Sequence, residues 1–183
     1  MNTRISKFDS ERLISLIRDV KDYPKKGVTF RDITTLIKSG EAFNQVLDIF
    51  YSVCKDKKID LIAAIESRGF IFGGALADRL RVGIIPVRKR GKLPADTVVE
   101  KYDLEYGTDS LEMHTDAVSK GQKVLIVDDL LATGGTLQAT CGLVEKLGGK
   151  VAGIIVLIEL SFLKGREKFK DYDFFSLIQY QSE

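Results

Sequence analysis

The sequence predicts an α/β fold with a parallel sheet core flanked by helices. Four short apolar runs read as buried strands: Ile59 to Ile65, Val82 to Val87, Val124 to Val127 and Val151 to Ile158. Around them stand segments whose apolar residues recur at helical spacing, and alternation of the two periods marks strand–helix–strand units. At 183 residues, with no internal repeat, low-complexity tract or linker, the chain reads as a single domain spanning residues 1–183.

Taken in order, Ser10 is placed to cap a first helix carrying Leu13, Leu16, Ile17 and Val20 on one stripe. That pattern stops at Tyr23-Pro24, and Lys26-Gly27 makes a turn. From Glu41, residues Phe43, Val46, Leu47, Phe50 and Cys54 share one helical face. The strand ending at Ile65 runs into Glu66-Ser67-Arg68-Gly69 and a helix with Phe70, Leu76 and Leu80. Leu137, Cys141, Val144 and Leu147 mark another helix, stopped by Gly148-Gly149, and residues 151–158 form the last buried strand. Residues 90–113 resist this scheme. They are polar, with Gly91 and Gly107 and only weak alternation, and so predict a long irregular segment acting as a lid or binding loop.

Composition removes several function classes. A formal charge of +2 is too small to point to nucleic acid or an anionic membrane, and no winged-helix segment or strongly basic face is apparent. Arg4, Lys7, Asp9, Glu11 and Arg12 interrupt any signal-peptide core, and the strongest apolar run, around Ile154 to Ile158, falls short of the ~20 residues of a membrane span. The expectation is a cytoplasmic protein. Cys54 and Cys141 have no metal-ligand spacing and read as buried thiols, and His114 stands apart from any ligand cluster.

The chemistry concentrates between Val124 and Thr136. An apolar strand ends in Asp128 and Asp129, and a turn of small residues, Ala132-Thr133-Gly134-Gly135-Thr136, opens a helix. Free amide groups at a helix start, with the helix dipole, make an anion site, and glycines let a phosphate approach the backbone. There is no Gly-Lys-Ser/Thr, and the glycines do not follow the dinucleotide pattern. An acid pair ahead of a phosphate turn suits a sugar phosphate, whose ring hydroxyls would donate to the carboxylates. The plainer reading is a capping turn with Asp129 or Thr133 as N-cap, which accounts for one acid and one glycine only.

Residues 128–136 resemble the PRPP-binding motif (PRPP, 5-phosphoribosyl 1-diphosphate) of type I phosphoribosyltransferases, in the form typical of their adenine-specific branch. The resemblance extends through Tyr23-Pro24, residues 27–33, Glu66-Ser67-Arg68-Gly69-Phe70, residues 87–94, Leu104-Glu105-Tyr106-Gly107, Glu159-Leu160 and residues 163–167. It implies transfer of ribose 5-phosphate from PRPP to adenine, giving AMP and diphosphate, on a type I fold. That fold carries a small hood (about residues 1–35 with part of the C-terminal region) and a flexible lid (about 90–113). Hypoxanthine, guanine or xanthine as the base, or a PRPP-sensing regulator on the same fold, are the alternative readings.

The same resemblance assigns residues. The 5-phosphate would sit at Ala132, Thr133, Gly134, Gly135 and Thr136, with the ribose hydroxyls on Asp128 and Asp129. Ser67 and Arg68 would bind the diphosphate, assisted by Arg88, Lys89 and Lys92, part of this basic run reaching across a homodimer interface. Position alone leaves Arg68 as a surface salt bridge and the basic run as a solvated face. The base would stack on Phe30 between Leu130 and Leu160, with main-chain groups of Thr29 and Arg31 at its edge, although Phe30 also reads as a core residue. Thr29 departs from the aliphatic residue common at that place. Mg²⁺ is implied as an ion held mainly by PRPP. Ala132 stands where enzymes for 6-oxopurines carry an Asp, so the proton of the base is assigned to Glu105, with Tyr106 orienting it or bonding a phosphate.

Overall fold

The computed structural model describes residues 7–103 and 108–182. Seven strands form one mixed sheet in the order β5-β6-β4-β3-β7-β8-β9. Its core is parallel: β3 (Leu61–Ile65), β4 (Gly83–Lys89), β7 (Lys123–Leu131), β8 (Lys150–Leu160) and β9 (Phe174–Tyr180). The strands β5 (Thr97–Asp103) and β6 (Thr108–His114) add an antiparallel edge through β4.

Period-two burial explains the layering. On one face, Ile62 and Ala64 of β3, Leu125 and Val127 of β7, and Ile155 and Leu157 of β8 pack under helices α1 (Lys7–Ser15), α2 (Thr34–Lys38), α3 (Gly40–Cys54) and α4 (Gly69–Leu80). On the other, Ala63 and Ile65, Val124 and Ile126, and Ile154 and Val156 pack against α5 (Gly135–Lys146) and the β5–β6 edge. Apolar residues on both faces of a strand are what a covered parallel sheet demands. Cys54 and Cys141 are buried and unbridged, and burial pushes their thiols up to about 11 and about 12, as inert core cysteines require. No helix among the described residues is long and apolar enough to cross a membrane.

Four expectations need correction. Ser10 lies inside α1 rather than at its cap, and the helix ends at Ser15. The chain then turns, and β1 (Arg18–Val20) pairs antiparallel with β2 (Phe30–Asp32), fixed by Arg18 Nη2 donating to Asp32 Oδ2 at 2.5 Å. The run 151–158 is not the last strand, because β9 follows and pairs with β8. Within residues 90–113, the described stretches 97–103 and 108–113 are regular: β5 and β6 pair antiparallel in register from Thr97↔His114 to Asp103↔Thr108. The base of this pair is held by the buried carboxylate of Glu112, which accepts from the amides of Lys92 and Leu93 at 3.0 and 2.9 Å.

Candidate active site

A cavity of about 490 Å³ opens at the C-terminal ends of β3, β4 and β7, where open parallel sheets collect ligands. It is lined by Glu66, Ser67 and Arg68 after β3, Lys89 at the end of β4, Asp128 to Leu130, and Ala132 to Thr136. The acid pair, the phosphate turn and the diphosphate loop expected from sequence therefore face one space.

The strand β7 continues past Val127 and carries both acids, 7% and 5% exposed, to the cavity wall. Asp128 Oδ1 accepts the amide of Asp129 at 2.9 Å. Burial, reinforced by the neighbouring charge of Asp129, drives the Asp128 carboxyl well above the usual carboxylate range. Asp129 faces Arg68 instead, whose Nε lies 2.5 Å from its Oδ2.

Gly134 stands at the N-cap position before α5 with φ of +85°, a left-handed conformation that a side chain would strain. No side chain caps this helix, so its first amides have no capping partner. That geometry removes the capping-turn reading, since neither Asp129 nor Thr133 serves as N-cap.

Of the residues expected at the base, Leu130 lines the cavity and Phe30 lies against its lining residue Arg68. Phe30 is half-buried at the end of the β1–β2 ribbon, edge-on to Tyr23 at 5.3 Å, and the Arg68 guanidinium lies 5.1 Å from its ring centre. Thr29 is half-buried just before it. Leu160 ends β8, and both it and Leu130 pack against the buried cluster on the α1–α4 face. Arg31 is buried, paired with Asp19 at 2.5 Å and stacked 4.1 Å over the Tyr180 ring.

Two members of the basic run stand apart from the lining. Arg88 donates to Glu66 Oε2 at 2.7 Å and to the Lys92 carbonyl at 3.0 Å, so it orients a lining carboxylate, and Lys92 is exposed. Glu105 and Tyr106 lie outside the described residues, between the strands of the hairpin.

Tyr102 also lines the cavity, and sequence reasoning missed it. It sits on β5, its hydroxyl donating to Asp109 Oδ2 at 3.2 Å, and Lys89 Nζ meets the same oxygen at 3.0 Å. Burial and the Asp109 charge push the phenol up to about 12, so it remains a donor at any physiological pH. The signal lay in hairpin register, which the polarity of residues 90–113 concealed. Among the described residues no group of three or more His, Cys, Asp and Glu is arranged to hold a metal ion.

Comparison with known proteins agrees with this geometry. The phosphoribosyl transferase domain family matches residues 33–183. An adenine phosphoribosyltransferase of Thermoanaerobacter sp. (strain X514) is 56% identical over 170 residues, 93% of this chain and 98% of the relative. The crystal structure of the enzyme of that name from Thermoanaerobacter pseudethanolicus superposes with a TM-score of 0.91 at 56% identity, covering 93% of this chain and 99% of that one. The Saccharomyces cerevisiae enzyme, crystallised with an imino-altritol bisphosphate and adenine, gives 0.88 at 36% identity, with 93% and 99% covered. The chain belongs to the phosphoribosyl transferase domain family and, within it, to the adenine phosphoribosyltransferases.

Proposed function

We propose that the cavity at the ends of β3, β4 and β7 carries the family reaction, adenine + PRPP → AMP + diphosphate, with each group of residues acting as follows. The observation that carries the reading is the sequence of features along β7 and α5: two buried carboxylates, then an uncapped helix start opened by left-handed Gly134. The 5-phosphate binds the amides and hydroxyls of residues 132–136, where the dipole of α5 favours negative charge.

With the phosphate fixed there, the ribose lies over Asp128 and Asp129, whose carboxyl groups accept its hydroxyls and stabilise positive charge growing at the anomeric carbon. Arg68, Ser67 and Lys89 meet the diphosphate. The bond from C1′ to the diphosphate oxygen breaks with its electron pair leaving on diphosphate, and N9 of the base forms the new bond. The base then gives up a proton. Glu105 takes it in this reading, with Tyr106 beside it, because Ala132 offers no acid in the turn and Tyr102 brings the hairpin stem to the cavity rim. Closing the hairpin as a lid would exclude water from the activated ribose.

Adenine stacks on Phe30 between Leu130 and Leu160, its edge read by main-chain groups of Thr29 and Arg31 under the hood formed by the β1–β2 ribbon and the C-terminal segment. Mg²⁺ would be held mainly by the phosphates of PRPP, beside the carboxylates of Asp128, Asp129 and Glu66 that border the cavity, and would supply charge to the leaving diphosphate. A homodimer and a cytoplasmic location belong to the same reading. Exposed Ile71 on α4 and Ile84 on β4 would give the pairing an apolar surface. The test is AMP formation by the Asp128→Asn/Asp129→Asn double variant, expected to fall on the order of 10²–10³-fold. Near-native turnover by the folded variant would refute the ribose assignment.

A further inference from the structure

The phosphate turn has a back wall outside the cavity. After β8 the chain makes two short 3₁₀ turns, Ser161–Leu163 and Gly165–Phe169. Gly165 lies so close to the phosphate turn that a Cβ there would stand 2.1 Å from the Ala132 carbonyl oxygen and 3.0 Å from the Thr133 carbonyl carbon. A Cβ on Gly134 would meet the Phe169 ring at 2.9 Å and the Gly165 carbonyl oxygen at 3.2 Å. Residues 165–169 are thus moulded to the rear of residues 132–134.

One ion pair fixes this wall. Arg166, bonded directly to Gly165, lays its fork on Glu159 at the end of β8: Nε reaches Oε2 at 3.0 Å and Nη2 reaches it at 2.7 Å. Its Nη1 donates to the Phe174 carbonyl at 3.1 Å, its Nη2 also to Ser176 Oγ at 2.9 Å, and the guanidinium lies 4.4 Å over the Phe174 ring. Glu159 is 4% exposed and accepts from Ser176 Oγ at 2.6 Å as well. A planar, multiply bonded guanidinium tolerates little displacement.

We propose that Glu159 and Arg166 are positioning residues for the phosphate turn, fixing its amide donors from behind through Gly165 and Phe169. The inference rests on the reading of residues 132–136 as the phosphate site. Backbone donors are useful only where they meet the phosphate oxygens, and a misplacement of about 1 Å can cost on the order of 10²-fold. Loosening the pair should therefore weaken ligands that carry the phosphate and spare those that lack it.

Calorimetric binding of AMP and of adenosine gives the test, on the wild-type chain and on Thr136→Ala, Arg166→Ala, Arg166→Lys and Glu159→Gln, with Tm measured alongside. The wild type should prefer AMP, and Thr136→Ala should reduce that preference. The Arg166 and Glu159 variants should reduce it at least about tenfold with adenosine affinity unchanged. Arg166→Lys keeps the charge without the fork and decides the matter if Arg166→Ala does not fold. A lowered Tm with full AMP preference in folded Arg166→Lys would make the pair merely structural and overturn the proposal. Full AMP preference in Thr136→Ala would overturn the phosphate reading, and the positioning role with it.

Discussion

Arg68 and Asp129 are joined by a 2.5 Å ion pair at the cavity wall, the Asp129 side chain 7% exposed and the Arg68 side chain 38%. One partner is assigned to the diphosphate and the other to the ribose, so the pair occupies the ground that PRPP must take. The guanidinium also lies 5.1 Å from the centre of the Phe30 ring, which puts it between the positions assigned to the base and to PRPP. Arg68→Lys keeps the charge but loses the planar fork and the stacking. Loss of a charge-assisted hydrogen bond should raise KM for PRPP about tenfold to a hundredfold. Steady-state kinetics with unchanged KM for PRPP would remove Arg68 from the diphosphate site.

Asp128 sets stability against function. Burial and the Asp129 charge raise its pKa well above the ordinary 3.8, so the folded chain holds this proton more tightly than the unfolded chain does. Its contribution is fully present below the ordinary carboxylate value and is lost as pH rises from there through the raised value of the folded chain, the reverse of a salt-bridged acid. Asp128→Asn can still accept the Asp129 amide and sheds the penalty. At pH 8 its Tm should exceed that of the wild type, by about 2–4 °C per kcal/mol relieved, and the gap should close towards pH 4. Parallel Tm-against-pH curves for the two proteins would contradict this.

Proton removal from the base is assigned to Glu105. Glu105→Gln should lower kcat by roughly 10²–10⁴ and leave PRPP binding nearly unchanged. Full kcat would end the assignment, and lost PRPP affinity would give the residue another task.

Closure of the β5–β6 hairpin can be followed with trypsin at Lys101, which is exposed on β5. PRPP with Mg²⁺ should slow cleavage there. Equal rates with and without ligand would count against a lid.

The parallel core was legible because its strands are apolar on both faces, and the β7–α5 junction because acids, threonines and glycines crowd into nine positions. What escaped reading is held by partners distant in sequence. The β1–β2 ribbon depends on Arg18 meeting Asp32, so Ile17 and Val20 continued a helical stripe that the chain abandons. The β5–β6 hairpin hides its register behind polar residues such as Glu112, whose burial is offset by amides from the loop before it. Tyr102 reaches the cavity through that register, and the Arg166–Glu159 pair is completed by Phe174 and Ser176 of β9.

Adenine transfer at this cavity is open to test by competition among bases. With PRPP and Mg²⁺, the chain is offered adenine, hypoxanthine, guanine and xanthine, and the nucleotide products are identified. A buried edge that pairs with the 6-amino group and N1 leaves polar groups unmatched against a 6-oxopurine, a mismatch able to reject by ~10⁴ or more. AMP as the dominant product at that margin is the expected result. Comparable kcat/KM for adenine and hypoxanthine would contradict it.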